Sequence, residues 1–167
     1  MRTIGVISDT HGLLRPEALD ALAGSELIIH AGDVGNQEIL DALASIAPVR
    51  AVRGNTDWGD FADRLPSTDV IDLLAESGTA EDPPKGPLAY LLHDHASLDL
   101  DPEASGFRMV IFGHTHEPLV HGQAGVLFLN PGSAGPRRFS LPVTVARLMV
   151  DADAVEAEII HLAVGQP

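Results

Sequence analysis

Cysteine is absent from the 167 residues. That excludes a disulfide framework and any thiolate metal site, so a metal held here must be ligated by His, Asp, Asn or Glu. Long apolar runs are missing as well: no stretch approaches the roughly 20 residues of a membrane span. The apolar part of the N-terminal MRTIGVISDTHG is too short for a signal peptide and runs straight into Asp9 and His11. A cytoplasmic location with no membrane partner is the expectation. Positive charge is scarce, with 10 Lys and Arg against 24 Asp and Glu and a formal net charge of −14. Such a balance argues against nonspecific binding to long nucleic acids. It also sets a problem should the substrate be a phosphate, because something local must then reverse the sign of the field. No internal repeat or flexible linker is evident. What remains, 45% hydrophobic and 20% charged residues, is an ordinary globular composition. The length suits one domain over residues 1–167, with a homo-oligomer left open.

The first third alternates short apolar, β-branched runs with helical patterns. TIGVIS (3–8), ELIIH (26–30) and PVRAVRG (48–54) read as strands. Residues 16–24 open on Pro16 and close on Gly24, and 36–47 form an amphipathic segment opened by Asn36, so helices are predicted there. The alternation implies βαβ units and parallel pairing. Strands are also predicted at 69–74 and 86–93, around an exposed acidic, proline-containing loop at 75–86, and at 109–112. The runs 126–130, 142–151 and 154–162 follow without helical spacers, which suggests antiparallel strands, although the last fits a helix about as well. The sum is an α/β fold with two mixed sheets facing each other and helices outside.

Polar residues gather just past the strands. The exits carry Asp9 and His11, then Asp33, then Asn55, then His93, then His114 and His116 in the segment MVIFGHTHEP. In an open α/β sheet, ligands bind at the carboxyl ends of strands. An isolated His-x-His is explained equally well by solvated loop histidines, and any one aspartate by an Asx turn. Five exits in register favour a shared metal site. If the exits stay extended, residues two apart point to one side, so Asp9 with His11, and His114 with His116, would each project together. Gly32 and Gly54 would let the backbone approach an ion. Seven donors exceed one tetrahedral ion and suit two ions sharing a carboxylate, the arrangement used for in-line displacement at phosphorus.

The ordered forms SDTHG, HAGDVG, VRGNTD, GHTH and NPGS resemble the calcineurin-like metallophosphoesterase superfamily, in its small YfcE-like phosphodiesterase branch, over about residues 3–150. The resemblance implies a four-layer αββα sandwich with a dinuclear site at one edge. Carried over by motif, Asp9, His11 and His116 would hold one divalent ion, Asn55, His93 and His114 a second, and Asp33 would bridge them. Manganese is the favoured ion, with iron, zinc and nickel as alternatives, since imidazole and carboxylate accept all of them. Two divalent ions against the ligating Asp9 and Asp33 leave a centre of about +2, which resolves the charge problem. The implied activity is phosphodiester hydrolysis of a small phosphate ester by water activated at the ions. The alternatives are a phosphomonoesterase or a noncatalytic protein-binding scaffold like the retromer subunit of this fold.

Several positions depart from the family pattern or extend it. Thr56 stands where many relatives have a histidine that assists the leaving group, so His95, two residues beyond His93, is the candidate substitute acid; Asp33, Asn55 and His95 make up the catalytic set. Asp33 is followed by Val-Gly-Asn without the usual later aspartate, and Asp94 replaces a glycine and is expected to face solvent. Arg53 is either an ion-pair partner or a phosphate ligand, and Arg137, of the pair Arg137 and Arg138, is the second candidate substrate contact. His30 reads as a core or orienting histidine, His121 and His161 as surface or structural. Trp58 and Phe61 would wall the cleft or join the core.

Overall fold

The computed structural model describes residues 1–165; the last two positions of the expected 1–167 domain lie outside the described residues. The strands are β1 (Arg2–Ile7), β2 (Leu27–His30), β3 (Val49–Ala51), β4 (Thr68–Asp72), β5 (Leu88–Leu92), β6 (Met109–Ile111), β7 (Leu119–Gln123), β8 (Val126–Asn130), β9 (Thr144–Val150) and β10 (Val155–His161). The helices are α1 (Pro16–Leu22), α2 (Gln37–Ala44) and α3 (Asp60–Asp63), with one 3-10 turn at His95–Ser97. Two five-stranded mixed sheets result, ordered β10-β9-β1-β2-β3 and β4-β5-β6-β8-β7. β1, β2 and β3 are mutually parallel, as are β5, β6 and β8.

Side-chain alternation along the strands assembles the layers. Ile4, Val6, Leu27 and Ile29 from one sheet meet Ile71, Leu91, Ile111 and Leu129 from the other in a common dry core. The opposite face of the first sheet, with Ile7, Ile28 and Val145, packs on Ala18 and Leu22 of α1 and on Ile39 and Leu43 of α2. Pro16 sits in the first turn of α1, and Asn36 caps α2 by accepting from the Ile39 amide at 3.2 Å. Over the second sheet the outer layer is thin. Leu92, Val110, Phe112 and Val126 are covered by Tyr90, Leu98 and Phe128 and by the 3-10 turn rather than by an α-helix.

The α/β architecture and most strands match the expectation, the 154–162 run being a strand antiparallel to β9 rather than the alternative helix, with two corrections. β8 is not antiparallel within a meander of three: it runs parallel to β6, because β7 makes the return that a crossover helix would otherwise provide. β7 escaped the sequence reading because all its residues are exposed, leaving no apolar period. It joins β8 through Ala124 and Gly125, both at positive φ, the backbone of a tight two-residue hairpin. No helix among the described residues is long and apolar enough to cross a membrane.

Candidate metal centre

The parallel strands of both sheets end at one edge of the sandwich, and their exits bring all seven expected ligands together. Asp9, fully buried, places Oδ1 3.2 Å from His116 Nε2 and 3.8 Å from His11 Nε2. The two imidazoles meet at 3.3 Å between their Nε2 atoms. On the other side, His93 Nε2 lies 3.0 Å from Asn55 Oδ1, which also lies 3.0 Å from His114 Nδ1. Asp33 stands between the groups. Its Oδ2 is 3.7 Å from His11 Nε2 and 3.3 Å from His93 Nε2, so one carboxylate oxygen reaches toward both clusters.

These donors do not point together for the reason the sequence suggested. β1 ends at Ile7 and β6 at Ile111, and beyond them the chain is not extended. Asp9, His11, Asp33, His114 and His116 all adopt left-handed conformations, with φ between 46° and 70°. L residues rarely do so outside functional turns. The turns are enforced from below: the amides of Asp9 and His11 donate to Gly32 O and Asp33 O, which staples the β1 exit to the β2 exit. The two glycines also serve neighbours rather than an ion. A Cβ on Gly32 would come 2.6 Å from His93 Nδ1, and one on Gly54 would come 2.8 Å from Asp33 Cα.

The hydrogen-bonding inventory calls for cations. His93 Nδ1 lies 2.7 Å from Ala31 O and must donate to it, so its Nε2 offers a lone pair to Asn55 Oδ1 and Asp33 Oδ2, which are acceptors too. Only a proton or a metal ion among these atoms reconciles them. Asp9 Oδ1 and His116 Nδ1 are buried without any hydrogen-bond partner. Asp9, His11 and His116, and again Asp9, Asp33 and His93, each offer ligand atoms within 4.8 Å of one another. Residues and spacing therefore fit divalent ions held by nitrogen and oxygen. Burial tends to raise the carboxyl pKa values, yet both stay below the usual range. The His116 imidazole beside it and a hydrogen bond from Ser8 hold Asp9 down, and the His93 imidazole beside it and a hydrogen bond from Thr56 hold Asp33 down. His11 is pushed down by burial, against the pull of Asp33 and Asp9. Burial acts the same way on His93, but there Asp33 and the Ala31 carbonyl prevail and raise it. The anionic carboxylates and a neutral His11 are the ligating forms.

The supports behind the ligands were only partly legible in the sequence. Asp57 accepts from the amides of Val34 at 3.1 Å, Gly35 at 2.9 Å and Gly54 at 2.9 Å, tying the loop of Asp33 to the loop of Asn55. It was missed, although an aspartate two residues after Gly-Asn in a tight turn was a readable signal. His30 is an orienting core residue, as expected. Its Nδ1 accepts from Gly32 N at 3.2 Å, and its Nε2 donates to Thr10 Oγ1, which in turn donates to Val34 O. Burial lowers its pKa to about 4. Asn130 holds the histidine turn, donating to Gly113 O and to Thr115 Oγ1.

The family profile described as "Calcineurin-like phosphoesterase superfamily domain" matches residues 1–153. The chain belongs to this superfamily. A probable metallophosphoesterase of Methanocaldococcus jannaschii is 36% identical over 165 residues, covering 95% of this chain and 81% of the relative. Two solved structures share the fold. One is described as a novel archaeal phosphodiesterase (TM-score 0.71, 21% identity, 95% of this chain and 99% of that one). The other is Vps29 of Entamoeba histolytica complexed with zinc (TM-score 0.69, 21% identity, 95% and 98%).

Within this calcineurin-like fold, the departures from pattern take definite places. Thr56 donates its amide to Asp33 Oδ1 at 2.9 Å, and its hydroxyl lies 3.4 Å from His11 Nδ1. His95 is not on an extended exit. It opens the 3-10 turn, with its ring packed 4.8 Å from that of Phe112 and 5.6 Å from that of Phe128. Asp94 does more than face solvent: it caps that turn through Ala96 N and brings Oδ2 within 3.9 Å of His114 Nε2. Arg53 lines a cleft with Asn55 and His93 and approaches Asp63 at 3.9 Å. Arg137 and Arg138 follow the Asn130 turn, and the charge of Arg138 contributes weakly to lowering the His11 pKa. Trp58 is 83% exposed and outside the core, whereas Phe61 packs behind the helices. His121 and His161 are on the surface.

Proposed function

We propose that this phosphoesterase is a phosphodiesterase that holds two divalent ions, one at Asp9, His11 and His116, the other at Asn55, His93 and His114, with Asp33 between them. The observation that carries the reading is the placement of Asp33 Oδ2 within reach of one imidazole from each cluster. Ions bound there would polarise the phosphoryl oxygens and lower the pKa of water toward neutrality. The chain's own contribution is to fix geometry and charge. Asp57 and the β1–β2 staple hold the ligand loops in register, the Ala31 carbonyl fixes the His93 tautomer, and Arg53, in the cleft with Asn55 and His93, supplies positive charge for phosphate oxygens, with Arg137 the second candidate contact. Manganese is the preferred ion, and a small phosphate ester is the substrate class. We also assign the chain to a single domain in the cytoplasm.

A noncatalytic scaffold is favoured only by the fold shared with Vps29. The complete donor set, with ligand atoms converging at 3.0 to 3.3 Å, speaks for catalysis, because protein docking would not require it. The test is hydrolysis of bis(p-nitrophenyl) phosphate by chelator-stripped protein before and after manganese is added, alongside elemental analysis. Chelation should abolish turnover and manganese restore it, with about two ions per chain. Turnover that persists in stripped protein would sink the dinuclear reading, and preference for a monoester would move the protein to the phosphomonoesterases.

A further inference from the structure

A cavity of about 650 Å³ lies beside the metal centre, within the size range of small-molecule sites. No ligand residue lines it, but residues next to the ligands in the chain do. Thr115, between His114 and His116, is one wall, and Asp94, 3.9 Å from His114, is another. Its back is aromatic, formed by Phe112, Phe128 and the ring of His95, which lies tilted at 31° against Phe112 and edge-on to Phe128. No Lys or Arg lines it; its charged groups are the carboxylates of Asp94 and Glu117. The cleft on the far side of Asn55 is the opposite case, since it carries Arg53.

We infer that this aromatic cavity receives a nucleobase, a planar ring bearing N–H donors, as an ester substituent of the phosphodiester substrate; the inference rests on the phosphodiesterase reading above. A phosphate group would meet two carboxylates and no cation there, so it stays at the metal centre and only an uncharged group enters the cavity. Flat aromatic walls favour a planar ring over an alkyl chain, because ring faces stack at van der Waals distance. The two carboxylates select further. They are acceptors only, and a ring with N–H donors satisfies them, whereas an aliphatic group would strip their water and return nothing. Asn130, also in the wall, has its amide committed to Gly113, Thr115 and Gly132, so it sets the shape of the cavity and leaves recognition to the carboxylates.

The experiment titrates zinc-loaded protein with adenosine 5′-monophosphate and, separately, with ribose 5-phosphate, following the imidazole NMR signals of His95 and His121, which line the cavity. Both ligands carry the same phosphate, so the base accounts for any difference. Adenosine monophosphate should bind roughly tenfold more tightly, as expected for one stacked base, and should shift both imidazoles. Ribose 5-phosphate should leave them in place. In Phe128→Leu, which keeps an apolar side chain but removes the ring face, the preference should fall toward onefold; Phe128→Ala provides the stronger form of the same test. Equal affinities for the two ligands, or unshifted imidazoles, would overturn the inference. Hydrolysis of bis(p-nitrophenyl) phosphate by the same preparation reports separately on the parent reading. Protein that hydrolyses without discriminating refutes the cavity alone, and protein that discriminates without hydrolysing refutes the phosphodiesterase while upholding the cavity.

Discussion

Thr56 sits beside the donors with its amide committed to Asp33 and its hydroxyl near His11. An alcohol cannot act as a general acid near neutrality as an imidazolium can. The histidine considered as a substitute, His95, is held against Phe112 and Phe128 in a 3-10 turn. With Thr56 in the usual histidine's place and His95 packed on aromatic rings, the rate should depend steeply on how well the leaving group carries negative charge. Aryl diesters should be cleaved at least about a hundredfold faster than alkyl diesters, the usual size of a missing acid's contribution. In a leaving-group series, His95→Ala should show the same slope as the wild type. A shallow wild-type slope that steepens in His95→Ala would restore His95 as the donor. The sequence could name the ligands because each motif joins a chemistry-bearing residue to a turn residue. It could not show that five of them take left-handed backbone, or that His95 packs on Phe112 and Phe128, because both depend on what the loops pack against.

At the scale of elements, the site is a property of strand exits, and that much was legible: parallel strands separated by short helices must end on one edge. β7 and the thin cover of the second sheet were not legible, since exposed strands and loops leave no period to read. Nor was the coupling between exits, which Asp57 carries by accepting three amides from two loops. Asp57→Ala would leave those amides without a partner, each a loss of about 1–3 kcal/mol where water cannot replace the carboxylate. Because Val34 and Gly35 follow Asp33, and Gly54 precedes Asn55, the damage should reach metal binding. We expect affinity at both positions to fall about 10- to 100-fold, the usual effect of losing an orienting partner. Metal titration followed by calorimetry checks this, with urea unfolding of chelated protein as the stability control. A variant that loses stability but binds both ions with undiminished affinity would reduce Asp57 to a loop brace.

For the whole molecule, the formal charge of −14 and the concentration of buried acceptors at one edge have a common consequence. Asp9 and Asp33 remain ionised well below neutrality, and two imidazoles face each other at 3.3 Å, so the folded state gathers groups that the unfolded chain would keep solvated and apart. Ions that bind only the folded state should repay this strongly. At a free concentration of 100 times Kd, one ion contributes about 2.7 kcal/mol, so two give roughly 5 kcal/mol. For a chain of this size each kcal/mol raises Tm by about 2–4 °C, which puts the expected rise between chelated and manganese-saturated protein at about 10–20 °C. The assignment of the bridge then becomes a thermal measurement. Asn55→Ala should keep about half the rise, because the ion at Asp9, His11 and His116 survives. Asp33→Ala should lose most of it, because both ions lose a ligand. Equal rises in the two variants would show that Asp33 does not bridge and that the clusters bind their ions independently.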